Sequence, residues 1–219
     1  MRRRTALLGI APSIVLLYGC ASVREAQLNT GLFPRNTTET ESRAPGRVAL
    51  LLQPAVKDMV HQGDDGPAKR MRLPIGRIVA QAMLTSADEA FAGGAERVDE
   101  PAPAGAGFGA TLVIQAARVS YHSRLLWFLP LPVLGGAGDS EFDAQLALDV
   151  SLLDAQGRVV WTHSYDSGRQ IWEHSFGEQA LVQDGLLRLT HEMAWRLSQQ
   201  AVRELRDWME AERMRPRVL

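Results

Sequence analysis

Three observations predict an α+β domain, with a mixed, largely antiparallel sheet packed with an amphipathic helix and a long C-terminal helix. Val48-Ala49-Leu50-Leu51-Leu52 is a continuous apolar run closed by Pro54 and followed by helical periodicity. Two alternating stretches flank the short turn Asp154-Ala155-Gln156-Gly157. The chain then closes on a 3.6-residue apolar pattern from about Gly177 to Glu210. Strand, helix, several strands and helix, in that order, make a sandwich with helices on one or both faces of the sheet.

Taken in order, Val48 to Leu52 suits a strand buried on both faces, because neither parity is polar. A polar loop containing His61, Gly63, Asp64, Asp65, Gly66 and Pro67 follows. Ile75, Ile78, Val79, Ala82, Met83, Ala90 and Phe91 then share one helical stripe, which starts near Pro74 and stops at Gly93-Gly94. Ala95 to Val98 can add an edge strand, and Pro101 to Gly107 is too rich in Pro and Gly for regular structure.

Three further strands are predicted at Thr111 to Tyr121, Phe142 to Leu153 and Arg158 to Asp166. In the second, Phe142, Leu146, Leu148, Val150 and Leu152 alternate with Asp143, Gln145, Asp149 and Ser151, so one face is buried and one wet. In the final helix Leu187, Thr190, Ala194, Leu197, Ala201, Leu205 and Trp208 step by three or four. Gly185 interrupts that helix at a cost of about 1 kcal/mol, which predicts a bend or a close approach.

The amino terminus reads differently. Arg2, Arg3 and Arg4 precede an apolar segment, Ala6 to Leu17, broken by Pro12. It is shorter than the ~20 residues that span a bilayer, which makes it an export signal and not a retained span. Cys20 is the only cysteine, so an intramolecular disulfide and a thiolate metal site are both excluded. Leu17-Tyr18-Gly19-Cys20 resembles the lipobox of bacterial lipoproteins, although Tyr18 is bulkier than the usual small residue.

That resemblance implies a diacylglycerol on the Cys20 thiol, cleavage before Cys20 and acylation of the new amino group. Ala21 stands where an aspartate would favour inner-membrane retention, which implies a lipid anchor in the outer membrane with the domain on its periplasmic face. The expected organisation is a signal peptide over 1–19, a lipidated flexible tether over 20–46, one domain over 47–210 and a tail over 211–219. The formal net charge is −1, more negative once the signal arginines are removed, and this gives no electrostatic reason to expect nucleic acid.

The order of elements also resembles the periplasmic α/β domain shared by the curli-pore lipoprotein, the lipoprotein activator of penicillin-binding proteins and the amino-terminal domain of TolB. Val48 to Pro54, Gly109-Ala110-Thr111-Leu112-Val113-Ile114 and the Leu152 to Trp161 hairpin carry the likeness. The glycine-rich loop and the proline-containing apolar run depart from it. The resemblance implies protein binding and oligomerisation, with other envelope proteins or a second copy as partners.

Motifs for catalysis are poor. His191-Glu192-Met193-Ala194-Trp195 opens like a zinc-protease helix, but Trp195 stands where the second histidine belongs. His122, His163 and His174 lie on or near strands and make no recognisable ligand set. Gly105 to Gly109 leads into a strand, the reverse of a phosphate-binding loop's context. The expectation is a protein that is not an enzyme, with no metal and no cofactor beyond the lipid on Cys20.

One internal run stands out. Leu125, Leu126, Trp127, Phe128, Leu129, Pro130, Leu131, Pro132, Val133 and Leu134 are apolar, and Gly135 and Gly136 follow. Two prolines argue against a central strand, so the run is expected to be a loop that contacts a partner or membrane, or that folds back over the sheet edge. The function expected is an envelope lipoprotein acting as a binding or assembly module of a secretion or export machine. The alternative is a periplasmic carrier that holds a lipid or hydrophobic ligand between sheet and helix.

Overall fold

The computed structural model describes residues 24–25, 43–62, 71–103, 105–129, 137–154, 156–175 and 179–214. Its elements are β1 (Arg24–Glu25), β2 (Val48–Leu52), α1 (Pro54–Lys57), β3 (His61–Gln62), β4 (Met71–Leu73), α2 (Ile75–Ala90), β5 (Ala95–Val98), β6 (Ala110–Leu129), β7 (Ala137–Leu153), β8 (Val159–Asp166), β9 (Gln170–Ser175) and α3 (Gln179–Met214). The α+β class holds. The main sheet runs β5-β2-β6-β7-β8 and β9 also pairs with β7; a small sheet runs β1-β4-β3.

β2 is parallel to both β5 and β6, while β6, β7, β8 and β9 join through antiparallel ladders. The two long helices, α2 and α3, lie on one face of the main sheet. Val48, Leu50 and Leu52 of β2 share a core with α2 and α3, whereas Leu51 joins Val113, Leu153 and Val98 on the other face. All five residues of β2 are buried, as its unbroken apolar run predicts.

The apolar stripe of α2 is buried as expected: Ile75, Ile78, Val79, Ala82 and Met83 are each 0% exposed. Gly76 lets the helix start against α1, since a Cβ there would lie 2.0 Å from the Val56 carbonyl oxygen. The helix ends where Phe91 turns extended, and Gly94 at φ +71° carries the chain into β5. On α3 Thr190, Ala194, Leu197, Ala201 and Leu205 of the expected stripe are buried, with Leu186 and Met193 beside them, while Leu187 and Trp208 are only partly buried.

Phe142, Ala144, Leu146, Leu148, Val150 and Leu152 of β7 all turn inward as read from sequence, but Ser151 on the face expected to be wet is also buried, bonded to Thr162 at 3.1 Å. The β7–β8 turn also agrees. Asp154 accepts backbone hydrogen bonds from Gln156 and Arg158, both at 2.9 Å, and Gly157 takes φ +75°. In β6 a bulge between Ile114 and Ala116 switches parity, so that Leu112 and Ile114 are followed inward by Tyr121 rather than by an even-numbered residue.

Several expectations are corrected. β6 and β7 are longer than read, and β6 continues through Leu125, Leu126, Trp127, Phe128 and Leu129, which are strand and not loop and pair with β7 on either side of a bulge at Leu126. The prolines that argued against a strand lie past its last residue. The partner is Ala137-Gly138-Asp139-Ser140, whose own composition signals a turn. β9, β3 and β4 have no clear periodicity and were not expected, and α3 runs on to Met214.

β8 and β9 form one edge of β7 in succession, joined across Ser167. The Ser167 amide donates to the Leu146 carbonyl at 2.9 Å, and the Leu146 amide donates to Ser167 Oγ at 2.9 Å. The serine side chain thus stands in for a backbone acceptor where the ladder changes strand. Upstream of Arg47 the chain is already joined to the domain: Arg24 and Glu25 pair with Met71 and Arg72, and Ala44 bridges to Phe91.

Candidate functional site

The far end of β6 holds Leu125, Leu126, Trp127, Phe128 and Leu129 of the sequence-predicted contact residues. β9 reaches as far as Ser175, opposite Asp139; beyond it, among the described residues, β6 and β7 pair with each other, Phe128 with Gly138 and Leu129 with Ala137. A second bulge falls between Leu125 and Trp127. Leu131, Val133 and Leu134 lie outside the described residues, and so does Cys20.

The hairpin is braced from behind. Tyr121, 2% exposed, donates its hydroxyl to Thr190 Oγ1 at 2.7 Å, and Thr190 donates in turn to the Leu186 carbonyl. Burial pushes the Tyr121 phenol well above its usual range. On the other side of Tyr121 the His61 ring sits at 5.0 Å between centroids, which sets the small sheet alongside the hairpin. Phe142 carries the Trp172 ring at 5.6 Å, and that ring fills the notch left by Gly185 on α3.

The outward face of the hairpin is a polar lattice. Arg118 grips Asp149 through two hydrogen bonds of 2.6 and 3.0 Å, and Ser164 donates to the same carboxylate at 2.8 Å. The hydrogen bond from Arg118 is the chief cause that holds Asp149 below the usual carboxylate range. Arg169 pairs with Asp143 at 2.6 Å, and Gln145 with Asp166. Such pairs each contribute little at an exposed surface, but they keep this face wet.

Residues that could have carried chemistry are dispersed. His122, His163 and His174 stand opposite Asp143, Val150 and Ser140 of β7. His163 stacks between Trp161 and Tyr165 and lies 3.9 Å from Glu204. His191 is buried and donates Nδ1–H to the Leu187 carbonyl at 2.7 Å; burial lowers its pKa, so the ring is held neutral. Trp195, one turn on, packs against the core. Among the described residues no group of His, Cys, Asp or Glu is arranged to hold a metal.

A cleft of about 260 Å³ opens between α1, α2 and β5, lined by Lys57, Asp58, Met59, Val60, Pro74, Arg77 and Arg97. It lies on the surface, not between sheet and helices, where Leu50, Leu112, Ile114, Ile78, Met83 and Leu197 are each no more than 1% exposed. The glycine-rich loop leads directly into β6. Gly109 donates to the Arg47 carbonyl at 2.8 Å, and the Arg47 guanidinium lies 4.8 Å from the Phe108 ring centroid. Among the described residues no helix is long and apolar enough to cross a membrane.

No protein-family model matches this chain. No curated protein matches it either. Solved structures do show likeness. An uncharacterized lipoprotein B from Nitrosomonas europaea aligns at 15% identity and TM-score 0.43, over 79% of this chain and 92% of its own. A minor lipoprotein from Acinetobacter baumannii aligns at 13% identity and TM-score 0.37, over 74% and 93%. A Xanthomonas campestris protein of family DUF330 aligns at 11% identity and TM-score 0.42, over 81% and 95%. Overlaps this loose carry no functional weight.

Proposed function

We propose that this chain is an outer-membrane lipoprotein, anchored through Cys20 on the periplasmic face, that acts without catalysis as a binding or assembly module of a cell-envelope machine. The observation that carries this reading is Leu17-Tyr18-Gly19-Cys20 behind three arginines and an apolar segment too short to span a bilayer. More than one acyl chain makes such an anchor stable, at about 0.8 kcal/mol per buried CH₂.

The fold supports a binding role over a carrier role. Among the described residues, the interface between sheet and helices is filled by close-packed side chains, and the surface cleft beside α1 and α2 measures about 260 Å³, below the ~300–1,000 Å³ usual for ligand pockets. Surfaces for association are present instead. β8 lies at the sheet edge with Val159 at 59% and Val160 at 40% exposure, and Ile171 on β9 is 55% exposed. An edge strand with apolar residues is a template for pairing with another chain, a second copy included.

The test is the mass of the mature amino-terminal peptide together with envelope fractionation. The expected result is a peptide that begins at Cys20, carries acyl chains and sediments with outer membrane. A peptide that begins elsewhere, or an unmodified thiol, overturns the anchor. A homogeneous protein with a retained hydrophobic molecule in native mass spectrometry would favour the carrier.

A further inference from the structure

We propose that the edge of β5, with the cleft beside it, binds the carboxy-terminal end of a peptide chain, laid parallel to β5 with its terminal carboxylate among Lys57, Arg77 and Arg97. The proposal rests on the binding reading above and names the partner's chemistry. It does not depend on the lipid anchor.

β5 ends the main sheet and, among the described residues, pairs with β2 alone. Glu96 and Arg97 are exposed, and Ala95 and Val98 are partly so. An edge of this kind accepts a further strand through its unpaired backbone groups. The four residues of β5 span about 13 Å, room for the last three or four residues of a peptide.

The cleft lies where such a strand would end. β2 and β5 are parallel, and α1 follows β2 directly. Lys57 on α1, Arg77 in the first turn of α2 and Arg97 near the end of β5 therefore meet beyond the carboxyl ends of the two strands. Ligands of open parallel sheets collect at that end. Parallel register brings the peptide's own carboxylate there, whereas an antiparallel peptide would bring its amino end to three cations.

The charge fits one carboxylate. Asp58 also lines the cleft, and Lys57 holds Asp99 at 2.7 Å, so three cations against two acids leave one positive charge. Glu96 stands opposite Ala49 and pairs with Arg47 on the face away from the helices. α2 has no acidic residue in its first turn, so its amino-terminal end adds to the positive field. The planar guanidinium of Arg97 can meet a carboxylate with two N–H donors.

The apolar lining selects a peptide end over inorganic phosphate. Met59, Val60 and Pro74 share the cleft with the cations, and Val60 is 39% exposed. A volume of about 260 Å³ suits one apolar side chain beside its carboxylate and excludes a lipid chain.

The experiment titrates the full chain, purified in neutral detergent, with two pools of acetylated hexapeptides. The pools are identical, with alanine, valine, leucine or phenylalanine last, except that one ends in a free carboxylate and the other in a carboxamide. The carboxylate pool should give saturable NMR shifts at the Val60, Glu96 and Val98 amides. Binding should be about tenfold weaker for the carboxamide pool and for Arg97→Gln, and lost in Val60→Asp. Arg158→Gln, at the β7–β8 turn, should leave it unchanged. Equal affinity for both pools, no saturable shift with either, or N-acetylleucine binding as tightly as the peptides overturns the proposal. Native mass spectrometry of the same samples separates the two failures: a retained hydrophobic molecule refutes the binding reading as a whole, whereas a protein free of one that ignores both pools refutes this surface alone.

Discussion

The six-membered ring of Trp172 occupies the volume that a side chain at Gly185 would need: a Cβ built on Gly185 would lie 2.1 Å from Trp172 Cη2. β9 is thereby keyed to α3 at the level of Phe142. Helix propensity alone makes Gly185→Ala favourable by about 1 kcal/mol. The geometry reverses the sign, because overpacking costs about 1–3 kcal/mol. Gly185→Ala should lower the urea midpoint, and in a Trp172→Leu background the same change should be neutral or stabilising.

Tyr121 and Thr190 give a directional pair. Thr190 already donates to the Leu186 carbonyl, so Tyr121 is the donor between the two hydroxyls. Tyr121→Phe leaves Thr190 bonded and should cost about 1 kcal/mol. Thr190→Val leaves a buried phenol without its acceptor and should cost more, up to about 3 kcal/mol. Adding Tyr121→Phe to Thr190→Val should restore part of the loss in a double-mutant cycle.

Ser167→Ala removes the acceptor of the Leu146 amide at the junction of β8 and β9. The expected cost is about 1–3 kcal/mol for a buried donor left unpaired. Hydrogen exchange should show the Leu146 amide losing protection, while amides of β2 keep theirs.

Acid should weaken the fold in two stages. Burial holds the His191 pKa below 6.5, so as pH drops through 6.5 the unfolded chain takes up a proton that the folded one refuses. Stability is therefore fully present above that value and falls as pH falls, until the folded ring itself titrates. Asp149 acts lower down: its contribution is complete above 3.8 and is lost as pH falls through its depressed folded value. His191→Gln should flatten the upper stage and Arg118→Met the lower one, as read from denaturation midpoints against pH.

Much of the fold is legible in local pattern, because α2, β7 and α3 each bury a face whose period is written in their own residues, and β2 is an unbroken apolar run buried on both faces. The Asp154 to Gly157 turn is legible for the same reason, since its acceptor and its positive-φ glycine lie within a few positions. β9, β3 and the outer half of β6 are not. Their pairing depends on strands distant in sequence, and Ala137-Gly138-Asp139-Ser140 has no strand signal of its own. Gly185 was marked as anomalous by position, but only the arrival of Trp172 from another strand explains it.

By itself the sequence determined the α+β class, the lone lipobox-like cysteine and the apolar character of Leu125 to Leu134, since composition and period are local properties. The tertiary structure alone decided that Leu125 to Leu129 is strand, that α2 and α3 share one face, and that Arg24 and Glu25 pair with Met71 and Arg72. Those three depend on which distant segments lie side by side, and no local period records that.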